Sequence, residues 1–265
     1  MQFFTDPGPM LGIVIVVSSV LVSVTGVCIV RRQVHYSKLR EDHEAAGFVY
    51  SMIGMVYAVL LGFITVVVWQ QYRDAQNHVQ HEAVRISNLL RDAQVFPESV
   101  RDELEAKIVT YVKAVISDEW HAMSQHRISQ VASNAYEDIW NTVYRIQTQT
   151  KREQTFYRES ITRLNDLGAI RRSRLLSGQS RIPSLLWILL ISGAVICVAF
   201  TYMFSAKNTW LHMATTGALA GIIAFILFLI LTLSCPFSGS LRIGPEPLTG
   251  VLQMWRHHHH IVIPH

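Results

Sequence analysis

Eight residues of one apolar stretch carry the clearest chemical pattern in this 265-residue chain. Stepped at about 100° per residue, the helical interval, Tyr50, Gly54, Tyr57, Leu61, Ile64, Thr65, Val68 and Tyr72 fall on one stripe. Spaced hydroxyls beside apolar bulk suit a path for inorganic ions. The hydroxyls would coordinate the ion, and Leu61, Ile64 and Val68 would form a constriction that gates by dewetting. The same tyrosines equally suit helix–helix seams and the aromatic belts of a membrane interface, so two readings stand at this level. Met52, Met55, Val59, Phe63 and Val66 make the opposite face wholly apolar. Gly54, Ala58 and Gly62 form a ridge of small residues beside the stripe, and Gly217 and Gly221 form another later in the chain. Small residues at this spacing let helix backbones approach closely.

Charged residues form the second group. Asp74, Glu82, Arg85, Arg171, Arg172 and Arg174 flank the apolar stretches. Guanidinium holds carboxylate in two-pronged pairs, which gives a structural ion-pair network. Gathered at a pore mouth, the same cations would concentrate anions in a charged vestibule.

Enzyme chemistry finds little support. His78-x-x-His81-Glu82 sets His78 and Glu82 one helical turn apart, but the order is not the zinc-protease order His-Glu-x-x-His. Glu119 beside Trp120 could be a carboxylate in an apolar pocket, although a helix-end ion pair explains it as well. No Gly-rich phosphate loop, dinucleotide fingerprint or activated Ser or Cys context is present. Cys28, Cys197 and Cys235 show no Cys-x-x-Cys or Cys/His ligand spacing. The reading is therefore no enzyme, no metal and no cofactor.

These residues are positioned by four long apolar runs, about 10–30, 48–69, 184–204 and 211–237, all free of Asp, Glu, Lys and Arg. Each reaches the ~20 residues a helix needs to cross a bilayer, and a charge at mid-bilayer is costly. The fold class is an all-α integral membrane protein. Four transmembrane helices lie in two pairs, with a central helical bundle continuous with spans two and three. The domains read as a first transmembrane pair at 1–70, a soluble bundle at 71–183, a second pair at 184–237 and a turn-rich tail at 238–265. The tail ends in the run His257–His260 and reads as disordered. The bilayer is one partner. The net charge of +4 with interleaved acids and bases carries no nucleic-acid footprint.

Within 71–183, the helical pattern of span two continues to about Gln94, and Pro97 is the first breaker. A helix from Pro97 closes at Trp120, another covers about 131–146, and a fourth starts near Lys151. Gly178 and Pro183 allow a kink before span three. The Lys/Arg bias of the short loops, Arg31, Arg32, Lys38 and Arg40 against Lys207, puts those loops inside and the bundle outside the cytoplasm. Arg73, Arg171, Arg172, Arg174 and Arg181 argue the reverse.

Several features, in order and spacing, resemble the uncharacterised bestrophin-like membrane family. Span two reads Gly47-x-x-Tyr50, then Gly54-x-x-Tyr57-Ala58-Val59-Leu60-Leu61-Gly62-Phe63 and Trp69-x-x-Tyr72-x-x-Ala75. The bundle holds Glu119-Trp120, Leu164-Asn165-Asp166-Leu167 and Arg171-Arg172. Span three opens Pro183-x-x-x-Trp187, and span four ends Pro236-Phe237-Ser238-Gly239. The resemblance implies a homo-oligomeric, anion-conducting channel of a bacterial inner membrane, with four spans per subunit and span two lining the pore. It also implies a cytosolic bundle, opposite to the short-loop bias. The acidic cluster of the bestrophin calcium clasp has no counterpart here. The alternative function is a non-conducting membrane scaffold or sensor whose bundle binds a partner.

Overall fold

The computed structural model describes residues 8–33, 43–125, 127–180, 182–204, 208–239 and 241–261. Side chains at 9, 43–46 and 258–261 fall outside that description. Lys38, Arg40, Arg181 and Lys207 of the charge-bias argument lie outside the described residues, as do the side chains of His258, His259 and His260. Every regular element among the described residues is helical. In chain order these are α1 (Pro9–Gln33), α2 (His43–Ala93), α3 (Glu98–Ala114), a π-turn (Val115–Glu119) and α4 (Trp120–Ser124). Then come α5 (Gln130–Tyr144), α6 (Lys151–Gln179), α7 (Ser184–Thr201), α8 (Thr209–Leu233) and α9 (Glu246–Ile261). Four helices, α1, α2, α7 and α8, are long and apolar enough to cross a membrane.

The chain divides into two compact units. The first comprises Met1–Gln71, Arg181–Cys235 and Gly239–Leu241, and the second Tyr72–Ser180, Pro236–Ser238 and Arg242–His265. The 51-residue α2 contributes to both.

In the first unit, α1 packs along α8. Gly217 and Gly221 bring the backbone of α8 against Val20, Val24 and Val16 of α1, with a Cβ at Gly221 only 3.2 Å from Val20. Gly12 faces the Phe228 ring and Gly26 the Tyr202 phenol so closely that any Cβ would overlap them. Hydroxyls inside the spans turn onto their own helix: Thr25 donates to the Leu21 carbonyl, Thr65 to Leu61 and Thr232 to Phe228. That removes an unsatisfied polar group from hydrocarbon, where water cannot serve it.

The second unit is a helical bundle around Ile86, Leu89, Leu104, Ile108, Tyr111, Val115, Ile139, Val143, Leu164 and Leu167, all buried. Local chemistry defines its helix ends. Pro97 precedes the first turn of α3, where a missing N–H is harmless. Ser129 caps α5 by accepting from Ala132 N at 3.0 Å. Thr150 caps α6 by accepting from Glu153 N at 3.1 Å, while the Glu153 carboxylate accepts from Gln149 N at 2.7 Å. This is a close variant of the reciprocal capping box. The Gln149 N–H, with smaller help from Thr150, holds the Glu153 carboxyl below its ordinary pKa.

Two expectations need revision. The segment read as a turn-rich tail carries α9. Leu248, Val251 and Leu252 recur at helical spacing and are buried in the bundle core, and Trp255 Nε1 donates to Glu105 at 2.9 Å. The glycines and prolines that suggested disorder stop at Gly250, and the helix grows from Glu246 on an apolar stripe. The helix from Pro97 to Trp120 is also not uniform, since its last turn before Trp120 widens into the π-turn.

Candidate functional site

The stripe on α2 has a definite orientation within the first unit. Tyr57, Leu61 and Val68 are buried, and Tyr50, Gly54, Ile64 and Thr65 are half-buried. The Tyr57 hydroxyl donates to the Leu190 carbonyl of α7 at 2.9 Å, and its ring lies on Gly193, where a Cβ would come within 2.5 Å. Tyr50 packs edge-on against Phe204 with ring centroids 5.3 Å apart. The centre of the stripe therefore sits in a seam within the chain itself, so Tyr57, Leu61 and Val68 do not face open space. The open side is the opposite one. Met55 is 73% and Phe63 70% exposed, with Met52, Val59 and Val66 also exposed. A Cβ at Gly54 or at Gly62 would meet nothing within 4 Å, and Ala58 is exposed between them. Tyr72, at the end of the stripe, belongs to the second unit and touches its cluster of Ala75, Val79, Leu175 and Phe237.

The charged group separates into a buried network and scattered surface residues. Arg174 of α6 and Glu82 of α2 are fully buried, as is Glu119, the last residue of the π-turn. Arg174 donates to Glu82 through Nε at 2.5 Å and Nη2 at 3.1 Å, to Glu119 through Nη2 at 2.5 Å, and to Met123 Sδ through Nη1 at 2.7 Å. Tyr111 Oη donates to Glu82 at 2.6 Å. Arg171 donates to Glu119 at 2.5 Å and to Ser133 Oγ at 3.0 Å. Aromatic faces complete the enclosure: Trp120 lies 5.0 Å from the Arg174 guanidinium and Tyr136 lies 5.8 Å from that of Arg171. Trp120 is itself anchored by its Nε1–H on the Ile243 carbonyl at 3.1 Å.

Two guanidinium groups thus meet two carboxylates, and the formal charges cancel. Burial alone would lower the Arg174 pKa, but Glu82 and Glu119 override it and raise it. Burial holds the Tyr111 phenol well above its ordinary range, and the Glu82 charge adds to that effect. A neutral, enclosed network binds helices to each other and carries no net charge that would concentrate anions. Glu82, Glu119 and Arg174, with Arg171 largely enclosed beside them, are therefore not a water-facing vestibule. Arg172 and Asp74 are exposed, and Arg85 pairs with Asp166 across 3.5 Å at the surface. Glu82 is committed to Arg174 and Tyr111, which removes it from a metal site with His78. Among the described residues no group of three possible ligands converges.

Sequence reasoning marked Glu82, Glu119, Arg171 and Arg174 but missed Tyr111, Met123, Ser133 and Tyr136. Their pattern is that of ordinary core and polar-face residues. The π-turn, which carries Glu119 between the two arginines, has no compositional cue.

The Bestrophin-like domain model matches residues 17–248. The chain belongs to the Bestrophin-like family. No curated protein matches it. Among solved structures it is similar to a bacterial bestrophin homologue from Klebsiella pneumoniae carrying a mutation. The TM-score is 0.69 at 11% identity, over 90% of this chain and 98% of that one. A second mutant homologue from Klebsiella pneumoniae gives 0.63 at 14% identity, over 91% and 98%. The crystal structure of a membrane protein variant gives 0.70 at 11%, over 90% and 96%. At these identities the likeness shows the fold: a four-span, all-helical membrane protein of bestrophin-like architecture.

Proposed function

We propose that this Bestrophin-like protein is a homo-oligomeric ion channel, anion-conducting, with α2 lining the pore. Membership of an ion-channel family supports the general class. The observation that carries the finer reading is the sidedness of α2. One face is spent on its own subunit through Tyr57, Leu61 and Val68, while Met55, Val59, Phe63 and Val66 stand open. Repeated around a closed ring, Val59, Phe63 and Val66, about one turn apart, form an apolar constriction that conducts when wetted. Of the stripe read as pore-lining, Gly54 and Thr65 border this open face. Tyr57 acts in the proposal as the strut that sets the helix against α7.

The short-loop Lys/Arg bias supports an orientation with the bundle outside the cytoplasm, and the family likeness supports a bacterial inner membrane as its location. Labelling of Glu98→Cys by an impermeant thiol reagent in intact cells tests that side.

Anion flux through purified protein in proteoliposomes tests the function, comparing wild type with Phe63→Ala and Tyr57→Phe. The proposal expects Phe63→Ala to raise flux severalfold and to leave it selective for anions. Flux at the level of empty liposomes in wild type and Phe63→Ala alike would replace it with the scaffold or sensor reading.

A further inference from the structure

A groove of about 300 Å³ lies inside the membrane unit. It is lined by α1 from Ile15 to Ser23, by α7 from Ala194 to Tyr202 and by α8 from Ala220 to Leu227. Among the described residues, none that lines it is charged. At 1.5 Å per residue it follows the three helices for about 12 Å, so its length runs along the spans. At its mouth Val22 is 70% and Val195 61% exposed. Both residues belong to spans, so the mouth opens on hydrocarbon.

Helices in a bilayer associate through van der Waals contact. An empty groove forfeits that contact along its whole lining, and an occupant restores it. The occupant must be slim, apolar and aligned with the spans. A side chain entering from a second copy would cross the groove and leave most of its length open. A lipid acyl chain already runs in the required direction.

Two hydroxyls mark one end of the groove. The Tyr202 phenol lies over Gly26 of α1, where a Cβ would come within 2.5 Å of Oη. That Oη has no hydrogen-bond partner among the described residues. Thr216 continues the α8 stripe of Ala220, Ile223, Ala224 and Leu227 by one turn. It is 1% exposed, and its Oγ1 has no hydrogen-bond partner among the described residues. Thr25, Thr65 and Thr232 of the same unit are each satisfied on their own helix. Gly26 sits about 10 Å along the axis from the end of α1 at Gln33. That is just below the layer where a bilayer's polar interface gives way to hydrocarbon, and where acyl ester groups lie.

We infer that the groove seats one acyl chain of a bilayer glycerophospholipid. The ester carbonyl at the head of that chain accepts from Tyr202 Oη, and Thr216 offers a second donor on the groove face of α8. The site does not depend on conduction. It bears on it through α7, which also holds Tyr57 of α2 by the Leu190 carbonyl.

The test is native mass spectrometry of the purified protein, supplied with dioleoyl phosphatidylglycerol in detergent and then washed with detergent. Wild type is compared with Ala194→Leu, Ala199→Leu, Tyr202→Phe and Val17→Leu. The substitutions at Ala194 and Ala199 fill the groove. Val17 is exposed on the far side of α1 and serves as the control. Wild type is expected to retain phospholipid on each subunit through the wash. The filled variants are expected to retain about tenfold less, the effect of roughly ten lost heavy-atom contacts. Tyr202→Phe is expected to retain severalfold less, through one lost hydrogen bond. Val17→Leu is expected to match wild type. Equal retention in wild type and both filled variants would overturn the site, as would an equal loss in Val17→Leu. A changed subunit number in the filled variants with lipid unchanged would also overturn it, making the groove an interface between copies. Should Ala194→Leu fail to fold, Ala199→Leu decides, because Ala199 stands exposed at the edge of the groove.

Discussion

Arg174→Ala is the sharpest perturbation of the bundle. The side chain is fully buried and holds Glu82 through two nitrogens, Glu119 through one and Met123 Sδ through another. Its removal leaves two buried carboxylates. Of the bonds just described, Glu82 keeps Tyr111 and Glu119 keeps Arg171. Breaking a buried pair from one side costs about 3–5 kcal/mol, because the stranded charge remains desolvated. In a chain of this size that corresponds to about 6–20 °C in thermal midpoint. Arg174→Lys keeps the charge but not the planar fork, and about half that loss is expected. Glu82→Leu with Arg174→Met and Glu119→Leu removes every formal charge of the inner triad. It is expected to lose less than the three single substitutions summed, because no buried carboxylate is left stranded and only the partly buried Arg171 guanidinium loses its partner. Arg171 and Tyr111 then lose an acceptor, so full recovery is not expected. The assay is thermal unfolding in detergent at neutral pH, read by fluorescence of the bundle tryptophans. An Arg174→Ala midpoint within about 2 °C of wild type would refute the reasoning, as would strict additivity in the triple variant.

The remaining predictions concern single features. Gly193→Val forces a side chain into the Tyr57 ring, and is expected to destabilise the membrane unit by about 1–3 kcal/mol through overpacking, seen as lower detergent stability. Thr150→Ala removes the cap of α6, with an expected loss of about 1 kcal/mol by denaturant titration. The raised Tyr111 pKa means that the folded state keeps its proton. Its contribution is complete below about pH 10 and is lost as pH rises through the folded value. Alkaline titration of tyrosinate absorbance is therefore expected to show one phenol, absent in Tyr111→Phe, that ionises only as the protein unfolds. Early titration of that phenol would contradict its burial.

The membrane architecture was legible because its signals are local. Four charge-free runs meet a length requirement that no tertiary contact can alter. The helices of the bundle followed from apolar spacing, and the start of α3 from Pro97, whereas the caps Ser129 and Thr150 show only in the structure. The tail reads as disordered because its glycines and prolines mask the stripe of Leu248, Val251, Leu252 and Trp255. A helix of that length forms only when the stripe has a core to enter, and the core lies on α2 and α3, far away in sequence.

On α2 the sequence determined two faces, a tyrosine stripe and an apolar face, with nothing to say which one the rest of the chain would occupy. Only tertiary structure decided that Tyr57 reaches the Leu190 carbonyl across Gly193 and leaves Phe63 open. The arginines told the same story. Arg171, Arg172 and Arg174 are equivalent as letters, yet their angles on α6 turn Arg174 fully inward, Arg171 partly and Arg172 outward. Residue type sets what a side chain can bind. Its position on the helix, and the helix that happens to pack there, set whether it meets a carboxylate, a lipid or water.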